Sequence, residues 1–361
     1  MPLPSTDPPL RFDQNSSSEP CRRPTTLPFT GNLRLRLPLQ EEAILHAAHI
    51  GRPGFGILPR VPAKPAELAM IYLEKLNQGT TLHFKDIISK TNSDLHELLS
   101  SSNAIQFFSA ITLSEEDLGE KSSHFMGQGV LSGIEITVGE IPLDLLALFC
   151  YRCHAAGACF VTCRAVFRIG EAANDSIQEI ARELAACALT VQRNGLAAIL
   201  HPDITIDQTH NIQKCYENTQ TVLELCYAAL KEHNVFLGGT LLIINPVCPG
   251  STSLHLHDND VTAQLISAHT FSVLIRNVPK EVPSVFISSG RSEQESLIIY
   301  SDISKITAPW SISFYFGHAL LGSTLRAWKG KEENMVAAQD VFSGVCSLCS
   351  GKQDLGLRMI P

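Results

Sequence analysis

Two long stretches of this 361-residue chain contain no lysine: none occurs between Lys121 and Lys214, and none between Lys231 and Lys280. Chemistry that needs a primary amine must therefore draw it from other parts of the chain. Also missing is any uninterrupted apolar run of about 18 residues, which excludes a helical membrane span. The amino-terminal stretch "MPLPSTDPPLRFDQNSSSEPCRRP" has no apolar h-region, so a secretory signal is not expected and the cytosol is the default address. No basic block interrupts a net charge of −8, which argues against nucleic acid or an anionic membrane as partner. No G-x-G-x-x-G follows the first apolar run, and "GRPGFG" lies before it, which disfavours a dinucleotide fold.

What is present is the balance of an ordinary globular protein, 44% hydrophobic and 18% charged. Residues 1–30, rich in Pro, Ser and Thr, read as a disordered tail. Eleven cysteines form no framework spacing, and in a reducing compartment most are expected to be buried free thiols. Cys150/Cys153 and Cys346/Cys349 have C-x-x-C spacing. Zinc or redox chemistry is one reading, and a shared helix face at i and i+3 is the plainer one. His255 and His257 in "LHLHDND" read as exposed loop residues rather than metal ligands, and no metal or cofactor is expected.

Short apolar runs recur at "FGIL" (55–58), "AIQFFSA" (104–110), "VLSGIEI" (130–136), "CFVTCRAVF" (159–167), "LAAILH" (196–201), "GTLLIIN" (239–245), "SVFISS" (284–289) and "WSISFYF" (310–316). Helical-period segments lie between them, such as 176–195, where Ile177, Ile180, Leu184 and Cys187 share a face and Asn194-Gly195 ends the helix. Eight strands alternating with helices predict an α/β fold, a (β/α)₈ TIM barrel, with a doubly wound open sheet as the alternative.

The blocks "EEAILHAAHIGRPGFGIL", "GACFVTCRAVFRIGE", "YAALKEHNVFLGGTLLIINPVCPG", "VFISSGRSEQES" and "PWSISFYFGHALLGSTLRAWKGKEENMVAAQ" resemble class I fructose-bisphosphate aldolase in order and spacing. The resemblance covers roughly residues 40 to 350. It implies the same barrel, here placed at 31–345 with a short carboxy-terminal tail at 346–361, and a family habit of homotetramers. It also implies a lysine at the end of the sixth strand that forms a Schiff base with a ketose bisphosphate.

The positions that the resemblance assigns to this chemistry are replaced. The Schiff-base lysine of Gly-Thr-Leu-Leu-Lys-Pro-Asn falls at Ile243, followed by Ile244, and an alkyl side chain forms no iminium. The first-strand aspartate falls at Val61, and the phosphate-contacting positions after it at Ala63, Ala66 and Met70. Glu135 stands for a third-strand lysine, Thr162 for a fourth-strand lysine and His201 for a fifth-strand glutamate, while Asp203 keeps the next carboxylate. A loop after Pro142 is shortened. Lys64 is the nearest candidate for a displaced amine, since Lys280 and Lys305 precede their strands.

At the phosphate end, Ser288, Gly290 and Gly317 persist, and His318 replaces the family's arginine. Arg164 is retained, and two readings stand: an ion pair with Glu135 in the barrel mouth, or a side chain that reaches out to solvent. The sequence therefore predicts a catalytically inactive homologue with a binding or assembly role: self-association, co-assembly with active aldolase subunits, or capture of a sugar phosphate or other anion. The alternative is a working glycolytic aldolase.

Overall fold

In the computed structural model the described residues are 39–52, 56–58, 98, 102–169, 174–206, 209–250, 262–288, 293–315 and 322–349. The tail at 1–30 lies outside them. Eight strands, β1 (Gly56–Leu58), β2 (Phe108–Thr112), β3 (Leu131–Thr137), β4 (Phe160–Ile169), β5 (Ala197–Ile206), β6 (Thr240–Ile244), β7 (Ser284–Ser288) and β8 (Ser311–Tyr315), pair in parallel in chain order. β1 also pairs with β8 through Ile57 and Tyr315, which closes the sheet. This is the (β/α)₈ barrel.

Among the described residues ten α-helices accompany the strands: α1 (Leu39–Ile50), α2 (Ser102–Ile105), α3 (Glu115–Gly127), α4 (Leu143–Ala155), α5 (Asn174–Arg193), α6 (Ile212–Glu232), α7 (Ala263–Asn277), α8 (Glu293–Ser304), α9 (Gly322–Trp328) and α10 (Met335–Cys349). Several starts are fixed by side-chain caps that satisfy otherwise unpaired N–H groups. Ser114 Oγ accepts from the Asp117 N–H at 3.1 Å, and Asn211 Oδ1 from the Lys214 N–H at 2.8 Å. On α5, Ile177, Leu184 and Cys187 are buried as the periodicity requires, and Gly195 ends the turn with φ +78°.

Two expectations are adjusted. The run "AIQFFSA" starts in α2 and becomes strand only at Phe108, because an apolar run specifies burial and does not distinguish a helical turn from a strand. The boundary at 345 falls inside α10, whose Cys346 is fully buried, so the last helix belongs to the barrel's outer layer through Cys349.

Two apolar cores result. The larger lies between sheet and helices. The smaller fills the barrel with Ile57, Ala110, Leu131, Phe160, Ile199, Leu241, Ile243 and Phe286, and Ala47 and Ile50 of α1 join it. Phe160 and Phe286 are its two fully buried aromatic rings, and Phe160 fits because its neighbour on β3 is a glycine: a Cβ on Gly133 would lie 2.5 Å from both the ring and the carbonyl oxygen of Phe160. At the amino-terminal face, the Ser109 hydroxyl ties α1 to the sheet by donating to the Ile50 carbonyl at 2.7 Å.

Candidate functional site

At their carboxy-terminal ends the strands lift polar side chains out of this apolar filling, because alternate residues along a strand face the same side. Arg164 (β4) and Asp203 (β5) form an ion pair, with Nε donating to Oδ2 at 3.0 Å. Asn245, just beyond β6, donates its amide to Asp203 Oδ1 at 3.1 Å. Ser288, the last residue of β7, donates to Asn245 Oδ1 at 2.6 Å. On the other side, the Tyr315 hydroxyl (β8) donates to Glu135 Oε2 (β3) at 3.4 Å.

The expected Arg164–Glu135 pair is corrected: the ion-pair partner of Arg164 is Asp203, and Glu135 acts on it only through space. Register explains the choice. Glu135 stands opposite Thr162, a step below Arg164, whereas the long β4–β5 ladder puts His201 opposite Arg164 and Asp203 one step above on the same face. Burial works against the guanidinium charge, yet the hydrogen bond and charge of Asp203, with Glu135 behind them, hold the Arg164 pKa above its ordinary value. Burial, followed by the Glu135 charge, raises the Tyr315 phenol well above its usual range.

Beneath this rim sit two buried groups without partners among the described residues, Thr162 Oγ1 and His201 Nδ1. The His201 ring lies 5.7 Å from that of Tyr315. Burial pulls the His201 pKa down to about 4, with Asp203 opposing and Arg164 assisting, so the imidazole is neutral at pH 7.

The profile of the family described as "Glycolytic: Fructose-bisphosphate aldolase class-I" matches residues 46–354. The chain belongs to the class I fructose-bisphosphate aldolase family. It is 37% identical to "Fructose-bisphosphate aldolase, cytoplasmic isozyme 1" of Pisum sativum, over 85% of this chain and 89% of the relative. It is 38% identical to "Fructose-bisphosphate aldolase 6, cytosolic" of Arabidopsis thaliana, over 85% and 88%. Among solved structures, the Plasmodium falciparum aldolase in complex with TRAP and a small-molecule inhibitor superposes with a TM-score of 0.71 at 28% identity, covering 86% of this chain and 94% of that one.

On this aldolase-family barrel the sequence-expected positions separate into three groups. Glu135, Thr162, His201, Arg164 and Ser288 are gathered at the carboxy-terminal mouth, where barrel sites form. Ile243 is fully buried in the apolar filling, opposite Phe286 of β7. Val61, Ala63, Lys64, Ala66, Met70, Gly290, Gly317, His318, His255 and His257 lie outside the described residues. Both C-x-x-C pairs are free thiols on helices, and burial raises the pKa values of Cys150 and Cys153 to about 12 and about 11. Among the described residues no group of three or more His, Cys, Asp or Glu is arranged to hold a metal ion.

Sequence reasoning missed Asn245 and Tyr315. Their signal was available: each is two residues beyond an inward position at the carboxy-terminal end of its strand.

His201 gives the protein a measurable acid sensitivity. Its folded pKa is below the unfolded value of about 6.5, so its contribution is complete above that pH and is lost as pH falls toward about 4. The expected loss across this window is roughly 3–4 kcal/mol, from about 2.5 pKa units at about 1.4 kcal/mol each. Urea unfolding at several pH values should show this slope in the parent and a flatter one in His201→Gln. Equal slopes would remove His201 as the cause.

Proposed function

We propose that this chain is a class I aldolase homologue without lyase turnover, retained for binding or assembly. The observation that carries the reading is Ile243: the position matching the Schiff-base lysine holds an alkyl group, enclosed among Ile199, Leu241 and Phe286. Lys121, Lys214, Lys231, Lys280, Lys305, Lys329 and Lys331, the lysines among the described residues, lie on helices or connections and none on a strand. The mouth also lacks the electrostatics for a bisphosphate among those residues. Arg164 is neutralised by Asp203, and Glu135 adds a carboxylate where an anion would enter. Ser288 donates to Asn245 rather than standing free for a phosphate.

The deciding experiment is a coupled cleavage assay on the purified full chain with fructose 1,6-bisphosphate. No turnover is expected, and a rate in the ordinary enzymatic range of about 1–10³ s⁻¹ would overturn the reading. The second reading, a working cytosolic aldolase of glycolysis, is favoured by the names of the relatives and needs an amine from residues not described, such as Lys64. Those names also support a cytosolic location. None of the described helices is long and apolar enough to cross a membrane.

Support for an assembly role comes from α4, where Leu145, Leu148 and Tyr151 are 54%, 59% and 65% exposed although large and mostly apolar. The occupant this role implies is a second aldolase-fold subunit. Light scattering after size exclusion should report an oligomer that Leu148→Glu dissociates. A monomeric parent that also fails to co-elute with active aldolase would remove the assembly role.

A further inference from the structure

Behind the mouth, on the outer side of β4, two thiols meet where neither serves the rim. Cys163 alternates with the inward Thr162 and Arg164, so it faces α5, and Cys187 of α5 donates its S–H to Cys163 Sγ at a sulfur–sulfur distance of 3.2 Å. That is about 1.2 Å longer than a disulfide bond. Cys163 is wholly enclosed. Cys187 lines a crevice of about 270 Å³, bounded by Ile136, Val138, Leu146 and Glu183, where the chain passes from β3 into α4. Cys187, itself only 2% exposed, is thus the one of the two that borders the crevice, and Cys163 is not among its lining residues.

We propose that Cys163 and Cys187 are an oxidisable pair, with Cys187 the thiol that meets a peroxide and Cys163 the one that resolves it. In the first step the Cys187 thiolate attacks one oxygen of hydrogen peroxide. The O–O bond breaks, hydroxide leaves and takes up a proton as water, and Cys187 becomes a sulfenic acid. In the second, Cys163 sulfur attacks Cys187 sulfur. The S–O bond breaks, and the departing hydroxide takes the Cys163 proton as a second water. Two thiols are oxidised to one disulfide and one peroxide is reduced to two waters.

Enclosure of Cys163 suits the resolving role. Its hydrogen bond from Cys187 and its burial both raise its pKa well above the ordinary thiol value, so it stays protonated until an electrophilic sulfur forms beside it. Cys150 on α4 is the third thiol of this neighbourhood, close enough to act electrostatically on both sulfurs. The bond would tie β4 to α5 directly behind Arg164. The assignment does not depend on whether the barrel turns over a substrate.

The test is peptide mapping of the folded full chain after treatment with hydrogen peroxide, with free thiols alkylated before and after reduction. Expected is one intramolecular cross-link between Cys163 and Cys187, two hydrogens lighter than the dithiol and reversed by dithiothreitol. In Cys163→Ser, Cys187 should accumulate as a dimedone-reactive sulfenic acid, and in Cys187→Ser, Cys163 should stay reduced. A cross-link from Cys187 to Cys150, or both sulfurs fully alkylated after peroxide while the protein is intact, would overturn the assignment. Mapping of the parent chain decides this even if a variant fails to fold.

Discussion

Mixed with dihydroxyacetone phosphate and borohydride, the Ile243→Lys variant should show no added triose in its intact mass, and it should unfold more readily than its parent. The new ammonium would stand in the apolar filling of the barrel, among Ile199, Leu241 and Phe286, where desolvation disfavours charge. A depression of about 3 pKa units, modest for a fully buried lysine, corresponds to about 4 kcal/mol of lost stability at pH 7. Because the folded pKa falls below the unfolded value of about 10.4, the deficit should shrink as pH rises toward that value.

An amine alone also lacks company. Glu135, Thr162 and His201 stand where the resemblance places two lysines and a glutamate, and His201 is neutral and enclosed. The parent should likewise remain unlabelled, since losing an iminium forfeits most of a rate enhancement of at least about 10⁶-fold. A reduced triose adduct on any residue of the parent would end the proposed function. An adduct with turnover in Ile243→Lys would show that the surrounding groups still suffice.

The second large effect is expected at Phe160. Truncation to alanine leaves a void in the apolar filling at the start of β4, and large-to-small changes at fully buried aromatic positions cost about 3–5 kcal/mol. The complementary change, Gly133→Ala, should also destabilise, since the added carbon meets the Phe160 ring and its carbonyl oxygen at 2.5 Å. If the two residues act as one unit, the double variant should be less destabilised than the sum of the singles, and chemical denaturation of all three measures this. Strict additivity would mean that Gly133 is kept for its backbone contact alone.

The barrel was legible because each strand begins within a short apolar run, and all eight runs overlap their strand. Within a strand, alternation puts Thr162 and Arg164 on one side, and in the structure that side is the inner one, with Cys163 on the outer. What alternation cannot supply is the register between strands. The partner of Arg164 was therefore misassigned to Glu135, because only the β4–β5 ladder reveals that Asp203 stands one step above His201. Alternation was enough to flag Asn245 as inward, but not to name its partners, since its role depends on simultaneous reach to Asp203 and Ser288. The meeting of Cys163 with Cys187 was hidden too, because it depends on how α5 lies on β4 rather than on any C-x-x-C spacing.

The rim from Arg164 through Asp203 and Asn245 to Ser288 spends its donors and acceptors on itself. A visitor would have to compete with these bonds for Asp203, Asn245 and Ser288. For a catalyst such self-sufficiency is a handicap. For a scaffold it lets four neighbouring strands hold their shape with nothing inside.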